Sequence, residues 1–127
     1  MSTSKISDSE WQVMKIIWSH KHCTAKEIVD KLSKITNWQP NTIRTLINRL
    51  LKKKIIDYTI DEKDNKTYHY FALVSESKCI KIESESFLKR VFNGSLNVML
   101  ENFINENKLS EDEIDKLKQI LDKKKKG

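Results

Sequence analysis

Residues 38–54 read WQPNTIRTLINRLLKKK, one proline followed by what the spacing predicts to be a single short helix. Wound at about 100° per residue, the stretch separates into two faces. Ile43, Leu46, Ile47, Leu50 and Leu51 gather into one apolar stripe. Asn41, Arg44, Thr45, Asn48 and Lys52 fall on the other side, flanked by Thr42 and Arg49. Solvated helix faces usually mix Glu with Lys, yet no acid occurs from Asn41 to Lys54. An α-helix fits the major groove of B-DNA, where Arg and Asn bond base edges bidentately and Thr meets a thymine methyl. Arg44, Thr45 and Asn48 are therefore candidate base readers, with Asn41 and Thr42 at the start of the same helix. Arg49 and Lys52 lie further along and are placed to grip phosphates.

The residues around this stretch predict its setting. In ISDSEWQVMKIIWSH (6–20), Ser7 stands three residues before Glu10, a capping-box signature. Trp11, Met14, Ile17 and Trp18 follow at helical spacing and predict a buried face. TAKEIVDKLSKIT (24–36) repeats the signal, with Thr24 before Glu27 and with Ile28, Leu32 and Ile35 facing inward. Pro40 suits the first position of the third helix, where its missing N–H costs nothing, although Gln39 is a poor cap before it. The short polar turn from Thr36 to Gln39 is of the kind that joins the two helices of a helix-turn-helix.

After Lys54 the period changes. IIDYTI (55–60) and TYHYFALV (67–74) are β-branched and aromatic, and DEKDNK between them is wholly polar, as a hairpin tip is. Three helices followed by a hairpin is the order of a winged helix-turn-helix. Lys63 and Lys66 at the tip are candidate DNA contacts, but Asp61, Glu62 and Asp64 beside them would be repelled by phosphate. An ordinary exposed turn accounts for the tip equally well. Tyr68 and Tyr70 alternate with His69 and Phe71 and read mostly as strand packing.

The second half returns to helix. SESKCIKIESESFLKRVFNG (75–94) ends at a glycine suited to a helix terminus, SLNVMLENFINEN (95–107) begins at Ser95, and SEDEIDKLKQILDKKKKG (110–127) opens on a third capping box. Their apolar stripes are narrow: Ile80, Phe87, Leu88, Val91 and Phe92; then Leu96, Met99, Leu100, Phe103 and Ile104; then Ile114, Leu117, Ile120 and Leu121. Three short amphipathic helices are marginal as an independent core, and packing the stripes against a second copy solves that, so a homodimer is expected. The expected organisation is mainly α with a small β-hairpin wing. Residues 1–74 form a winged helix DNA-binding domain and residues 75–127 a helical dimerisation domain. The terminal Lys123–Lys126 run reads as a frayed, solvated tail.

Charge agrees with that division. Residues 1–74 hold thirteen Lys/Arg against eight Asp/Glu, a net of +5, whereas residues 75–127 hold eleven against ten, a net of +1. The excess lies with the two-faced helix and points to a polyanionic partner. Nothing in the chain is long and apolar enough to span a membrane, no secretory signal is recognisable, and two cysteines make no disulfide framework, which suits the cytoplasm. HKHC (20–23) offers His20, His22 and Cys23 as metal ligands, but paired spacings from a second segment are missing, so a metal-free loop is expected. Cys79 reads as core. With no Gly-rich phosphate loop, HExxH or GxSxG, no catalytic residue, cofactor or enzymatic activity is expected.

EWQVMKIIW (10–18), TIRTLINRL (42–50) and ENFINENKLSEDEIDKLKQIL (101–121) together resemble the penicillinase repressor family, BlaI/MecI, over nearly the whole chain. The resemblance implies a dimeric winged-helix repressor whose N-terminal domain binds a palindromic operator and whose C-terminal helices form the dimer. It further implies control of genes for a β-lactamase or a penicillin-binding protein. Induction would come from a membrane sensor metalloprotease signal and cleavage of an Asn–Phe bond, for which Asn102–Phe103 stands at the matching place. The chain departs from the family pattern at Gln39 and Asn41, where serine and lysine are usual, and in a longer, more acidic wing turn. It lacks the C-terminal cysteine pairs of the copper-responsive branch. Two other readings are a family member controlling unrelated genes and a winged-helix module whose basic face meets an acidic protein.

Overall fold

The computed structural model describes residues 5–127. Three helices come first: α1 (Asp8–Ser19), α2 (Ala25–Ile35) and α3 (Pro40–Lys52). They are followed by β1 (Ile56–Ile60), β2 (Tyr68–Ala72), α4 (Glu76–Phe92), α5 (Leu96–Glu106) and α6 (Glu111–Lys126). The chain divides into two compact units, the first ending at Ile80 and the second running Lys81–Gly127. No helix among the described residues is long and apolar enough to cross a membrane.

In the first unit, local chemistry sets the helix ends. Ser7 Oγ accepts from the Glu10 N–H at 3.2 Å while Glu10 Oε1 accepts from the Ser7 N–H at 2.9 Å, and Thr24 and Glu27 do the same for α2. Gln39 makes no side-chain cap and Pro40 opens α3, as the sequence implies. Thr36 closes α2 by donating its hydroxyl to the Leu32 carbonyl at 2.8 Å, and its oxygen also accepts from the Trp38 N–H. Val13, Met14 and Ile17 of α1, Ile28 and Leu32 of α2, and Ile43, Leu46, Ile47 and Leu50 of α3 form one buried core. Trp11 and Trp18 cover it, their rings 5.5 Å apart. Ile35 is a correction to the sequence reading: it is the last residue of α2 and is 70% exposed, because that end of the stripe lies past the edge of the core that buries Ile28 and Leu32.

The passage from α3 to the wing is a tight C-terminal motif. Lys54 takes φ 61°, its N–H donates to the Leu51 carbonyl, and the Ile55 N–H donates to the Leu50 carbonyl. That pair of bonds is the Schellman arrangement, here with lysine where glycine is usual. It drops Ile55 and Ile56 into the core and starts an antiparallel hairpin in which Tyr58 faces Tyr70 and Ile60 faces Tyr68. Cys23 forms an isolated bridge to Tyr70, donating at 3.1 Å and accepting at 2.7 Å, so the α1–α2 loop anchors the base of the wing. The first unit extends beyond residue 74 because the Trp18 indole donates to the Val74 carbonyl at 3.0 Å and Cys79 is buried.

Glu10 is 1% exposed, yet it is charged and paired: Lys53 Nζ lies 2.6 Å from its Oε1 and also donates to the Lys5 carbonyl. Burial acts to raise the Glu10 pKa, but the Lys53 ammonium and the Ser7 N–H outweigh it and hold the carboxyl below its ordinary 4.5.

The second unit has a different character. The rings of Phe87, Phe92 and Phe103 meet at 5.8 to 6.4 Å, and α5 and α6 flank a groove of about 620 Å³ lined by Leu100, Phe103, Ile104, Leu117, Ile120 and Leu121. No residue of α5 or α6 is buried. Asn93 at φ 52° and Gly94 at φ 84° turn the chain out of α4, and Ser95 caps α5 through the Val98 N–H. The C-terminal lysines are not frayed: α6 continues through Lys126, its four terminal cations lying at the negative end of the helix dipole.

Replacing Lys53 by Met leaves the Glu10 carboxylate buried without its counter-ion. The expected loss is about 2–3 kcal/mol by urea denaturation, less than for a fully buried pair because Lys53 is 30% exposed on its side chain. Because the folded-state pKa is lowered, the stability this carboxylate contributes is present above pH 4.5 and fades as pH falls below it. Lys53→Met should therefore flatten the acid side of the stability profile as well as lower it.

Candidate nucleic-acid interface

Burial of Ile43, Leu46, Ile47 and Leu50 turns α3 so that its other residues face solvent. Asn41, Thr42, Arg44, Thr45, Asn48, Arg49 and Lys52 are all exposed, as the sequence spacing requires. Leu51 is partly buried at the edge of the core. The Thr45 hydroxyl donates to the Asn41 carbonyl at 2.9 Å, within its own helix. Among the described residues, Arg44, Arg49, Lys52, Lys63 and Lys66 pair with no carboxylate. Lys53, from the same basic run, does pair, and belongs to the core rather than to this face.

The acids of the wing tip are occupied by their own backbone. Asp61 accepts from the Lys63 N–H at 2.8 Å and faces His69 at 3.1 Å. Asp64 accepts from the Lys66 and Thr67 N–H groups at 2.8 and 3.0 Å and from the Thr67 hydroxyl. Those bonds, the Thr67 contacts foremost, draw its pKa down to about 2. Asn65 takes φ 54° at the apex, a conformation asparagine tolerates. Lys63 and Lys66 remain exposed beside these closed loops.

Tyr70 packs as the sequence implies, 7% exposed, but Tyr58 and Tyr68 do not. They lie outside the core at 36% and 39% exposure, their rings stacked 4.0 Å apart and parallel within 1°. A groove of about 720 Å³ lies between the start of α2, α3 and β2, and Arg44, Lys66 and Tyr68 line it with Thr24 and Lys26. Nothing in the spacing of the sequence links Lys26 to Arg44, since the tertiary packing of α2 on α3 alone brings them together. The HKHC segment is engaged structurally. His20 Nδ1 lies 3.0 Å from the Ile16 carbonyl, His22 packs 5.4 Å from Phe71, and burial pushes the Cys23 thiol up to about 11. Among the described residues no three His, Cys, Asp or Glu side chains converge on a metal position.

Three packed helices, a two-faced third helix and a cation-tipped hairpin define a winged helix-turn-helix protein. The family model described as penicillinase repressor matches residues 6–123, and the chain belongs to that family. The methicillin resistance regulatory protein MecI of Mammaliicoccus sciuri is 43% identical over 122 residues, covering 96% of this chain and 97% of the relative. The penicillinase repressor of Bacillus licheniformis is 40% identical over 121 residues, covering 95% and 92%. Among solved structures, the monomeric form of Bacillus licheniformis BlaI in complex with the blaP half-operator is 34% identical with a TM-score of 0.52, covering 60% of this chain and 89% of that one. The family is one of repressors rather than enzymes, in agreement with the lack of catalytic motifs in the sequence.

The wing cap can be checked directly. In a pH titration followed by amide chemical shifts, the Lys66 and Thr67 resonances should report a midpoint of about 2. A midpoint at the ordinary aspartate value of 3.8 would mean that Asp64 does not close the tip.

Proposed function

We propose that this protein is a cytoplasmic homodimeric repressor that binds a palindromic operator and occludes transcription of nearby genes. The observation that carries the reading is the outer face of α3, seven exposed hydrogen-bonding and cationic residues with no acid and no ion pair among the described residues. Arg44, Thr45 and Asn48 supply the base contacts, Asn41 and Thr42 support them, and Arg49, Lys52, Lys63 and Lys66 hold phosphates. In the dimer, two recognition helices enter successive major grooves about 34 Å apart. The likeness to MecI and to the Bacillus licheniformis penicillinase repressor supports β-lactamase or penicillin-binding-protein genes as targets.

The exposed stripes of the second unit support dimerisation. Val91, Leu96, Phe103, Ile104, Ile114, Leu117, Ile120 and Leu121 are all more than a third exposed, while Phe87, Met99 and Leu100 are partly covered. A second copy laid into the α5–α6 groove removes this apolar area from water. Release follows from proteolysis of Asn102–Phe103 by a sensor protease of the inducing pathway. Phe103 is a member of the Phe87–Phe92–Phe103 cluster, so cutting there breaks α5 at its packing centre, loosens the dimer and removes the gain of engaging two half-sites at once.

Anisotropy titration at physiological salt, with the DNA upstream of the protein's own gene against a scrambled duplex, tests the reading. A preference of about 10³ or more is expected, and equal weak binding would refute it. Arg44→Ala should cost about 1–3 kcal/mol on the upstream duplex and relax its specificity, whereas Lys52→Ala should weaken both duplexes alike. By sedimentation velocity the wild-type protein should run as a dimer and Leu117→Asp as a folded monomer. A monomeric wild type would exclude the proposed assembly.

A further inference from the structure

Asn93 and Gly94, with the cap residue Ser95, link α4 to α5, and both the asparagine and the glycine are exposed. They make the one Asn–Gly pair in the chain: the other glycine, Gly127, follows a lysine, and every other asparagine precedes a residue with a side chain. Both lie in the left-handed region, Asn93 at φ 52° and Gly94 at φ 84°. Nothing stands within 4 Å of the place a Cβ on Gly94 would take, so no neighbouring group crowds that side of the peptide after Asn93.

This pair has a chemistry of its own. The side-chain carbonyl of an asparagine is open to attack by the backbone nitrogen of the next residue, and a next residue without a Cβ leaves the approach unhindered. The Gly94 nitrogen gives its proton to solvent base and bonds to Asn93 Cγ, closing a succinimide ring. The Cγ–Nδ2 bond breaks, and the amide nitrogen leaves as ammonia with a proton taken from water. Water then opens the ring. Cleavage of the new N–Cγ bond leaves aspartate, and cleavage of the main-chain bond leaves isoaspartate, whose backbone runs through Cβ. Amide and water become acid and ammonia, with no change of oxidation state.

The folded turn holds the nucleophile back. The Gly94 N–H donates to the Leu88 carbonyl at 3.1 Å, and the Ser95 N–H donates to the Phe92 carbonyl at 2.9 Å. The first of these is the long bond of a Schellman motif, with Asn93 at its left-handed position. A nitrogen whose proton is held by a carbonyl is free neither to lose it nor to turn toward Cγ. Phe92 of α4 meets Phe103 of α5 across this turn, their ring centroids 6.2 Å apart. Opening the turn works against that contact, so reaction proceeds from the fraction of molecules in which the turn is open.

We propose that Asn93–Gly94 is a self-modification site, a deamidation timer gated by the Gly94–Leu88 hydrogen bond that ages the second unit. Either product puts a carboxylate at the C-terminal end of α4, the negative end of its dipole. Isoaspartate also lengthens the main chain between Phe92 and Gly94 and takes the Gly94 N–H out of register with Leu88. With no buried residue in α5 or α6, the second unit has little packing to absorb the change. The site needs neither DNA nor a second copy and stands apart from the operator reading.

The test ages the full-length protein at mildly alkaline pH, folded and in urea, and follows each asparagine by peptide mapping with mass spectrometry. The peptide spanning Asn93–Gly94 should gain acid before any other, with isoaspartate among the products, and Asn93→Gln should abolish that gain. In urea the conversion should run about tenfold faster or more, because the turn is open throughout. Aged wild type should melt below fresh protein, and fresh Asn93→Asp should show only part of that loss, since it adds the charge without the longer chain. If the folded chain stays unmodified while the unfolded one converts fully, the turn does not open and the timer is overturned. Equal rates in the two would overturn the gate, and earlier conversion at another asparagine would overturn the site.

Discussion

The rotation of α3 about its own axis is the constraint on which the rest of the molecule depends. Ile43, Leu46, Ile47 and Leu50 are buried to 4% exposure or less against α1 and α2. An apolar stripe of four such residues removes several kcal/mol of apolar surface from water, far more than any single polar contact on the helix contributes. The stripe therefore decides which residues face outward, and Arg44, Thr45 and Asn48 are presented because four aliphatic side chains are not. The end of the helix is fixed with equal firmness. Lys54 in the left-handed region sends Ile55 and Ile56 back into the same core, so the wing leaves α3 at a set angle.

The first unit also arranges its acids so that its excess of positive charge reaches the surface. Glu10 is sealed inside with Lys53, Glu27 caps α2, and Asp61 and Asp64 close the wing tip through backbone N–H groups. Each of these carboxylates has its pKa lowered by the bonds it accepts, so each stays ionised while facing its own chain. Among the described residues the cations of α3 and the wing are left without a carboxylate partner. Electrostatic attraction for a polyanion follows from this placement more than from the net charge of +6.

The two units differ in how they reach stability. The first has a closed core made from six elements. The second has an aromatic contact of three phenylalanines, an open groove and no buried residue in α5 or α6. The stripes of these helices are left exposed, which is the feature on which the proposed association rests.

Much of the fold was legible because it rests on local chemistry. The capping boxes at Ser7, Thr24 and Ser110, Pro40 at the head of α3, the helical period of the apolar residues and the change to period two after Ile55 each fix an element by the residues within it. The exposed face of α3 was legible for the same reason, since one helix carries both its buried stripe and its polar, cationic face. Contacts between residues distant in sequence were not. Glu10 reads as a surface cap until Lys53, forty-three residues away, is seen to cover it. Tyr68 reads as packing like Tyr70, but it lies nearer the hairpin tip, beyond the reach of the core, and Lys26 joins Arg44 only through the crossing of α2 on α3. Ile35 shows the converse, an apolar residue in register with Ile28 and Leu32 that lies past the edge of the core. Period and capping belong to a single segment, so the sequence determined the elements and the two faces of α3. Burial and pairing depend on which segments meet, so the tertiary structure alone decided the sealed acid, the outward tyrosines and the groove beside α3.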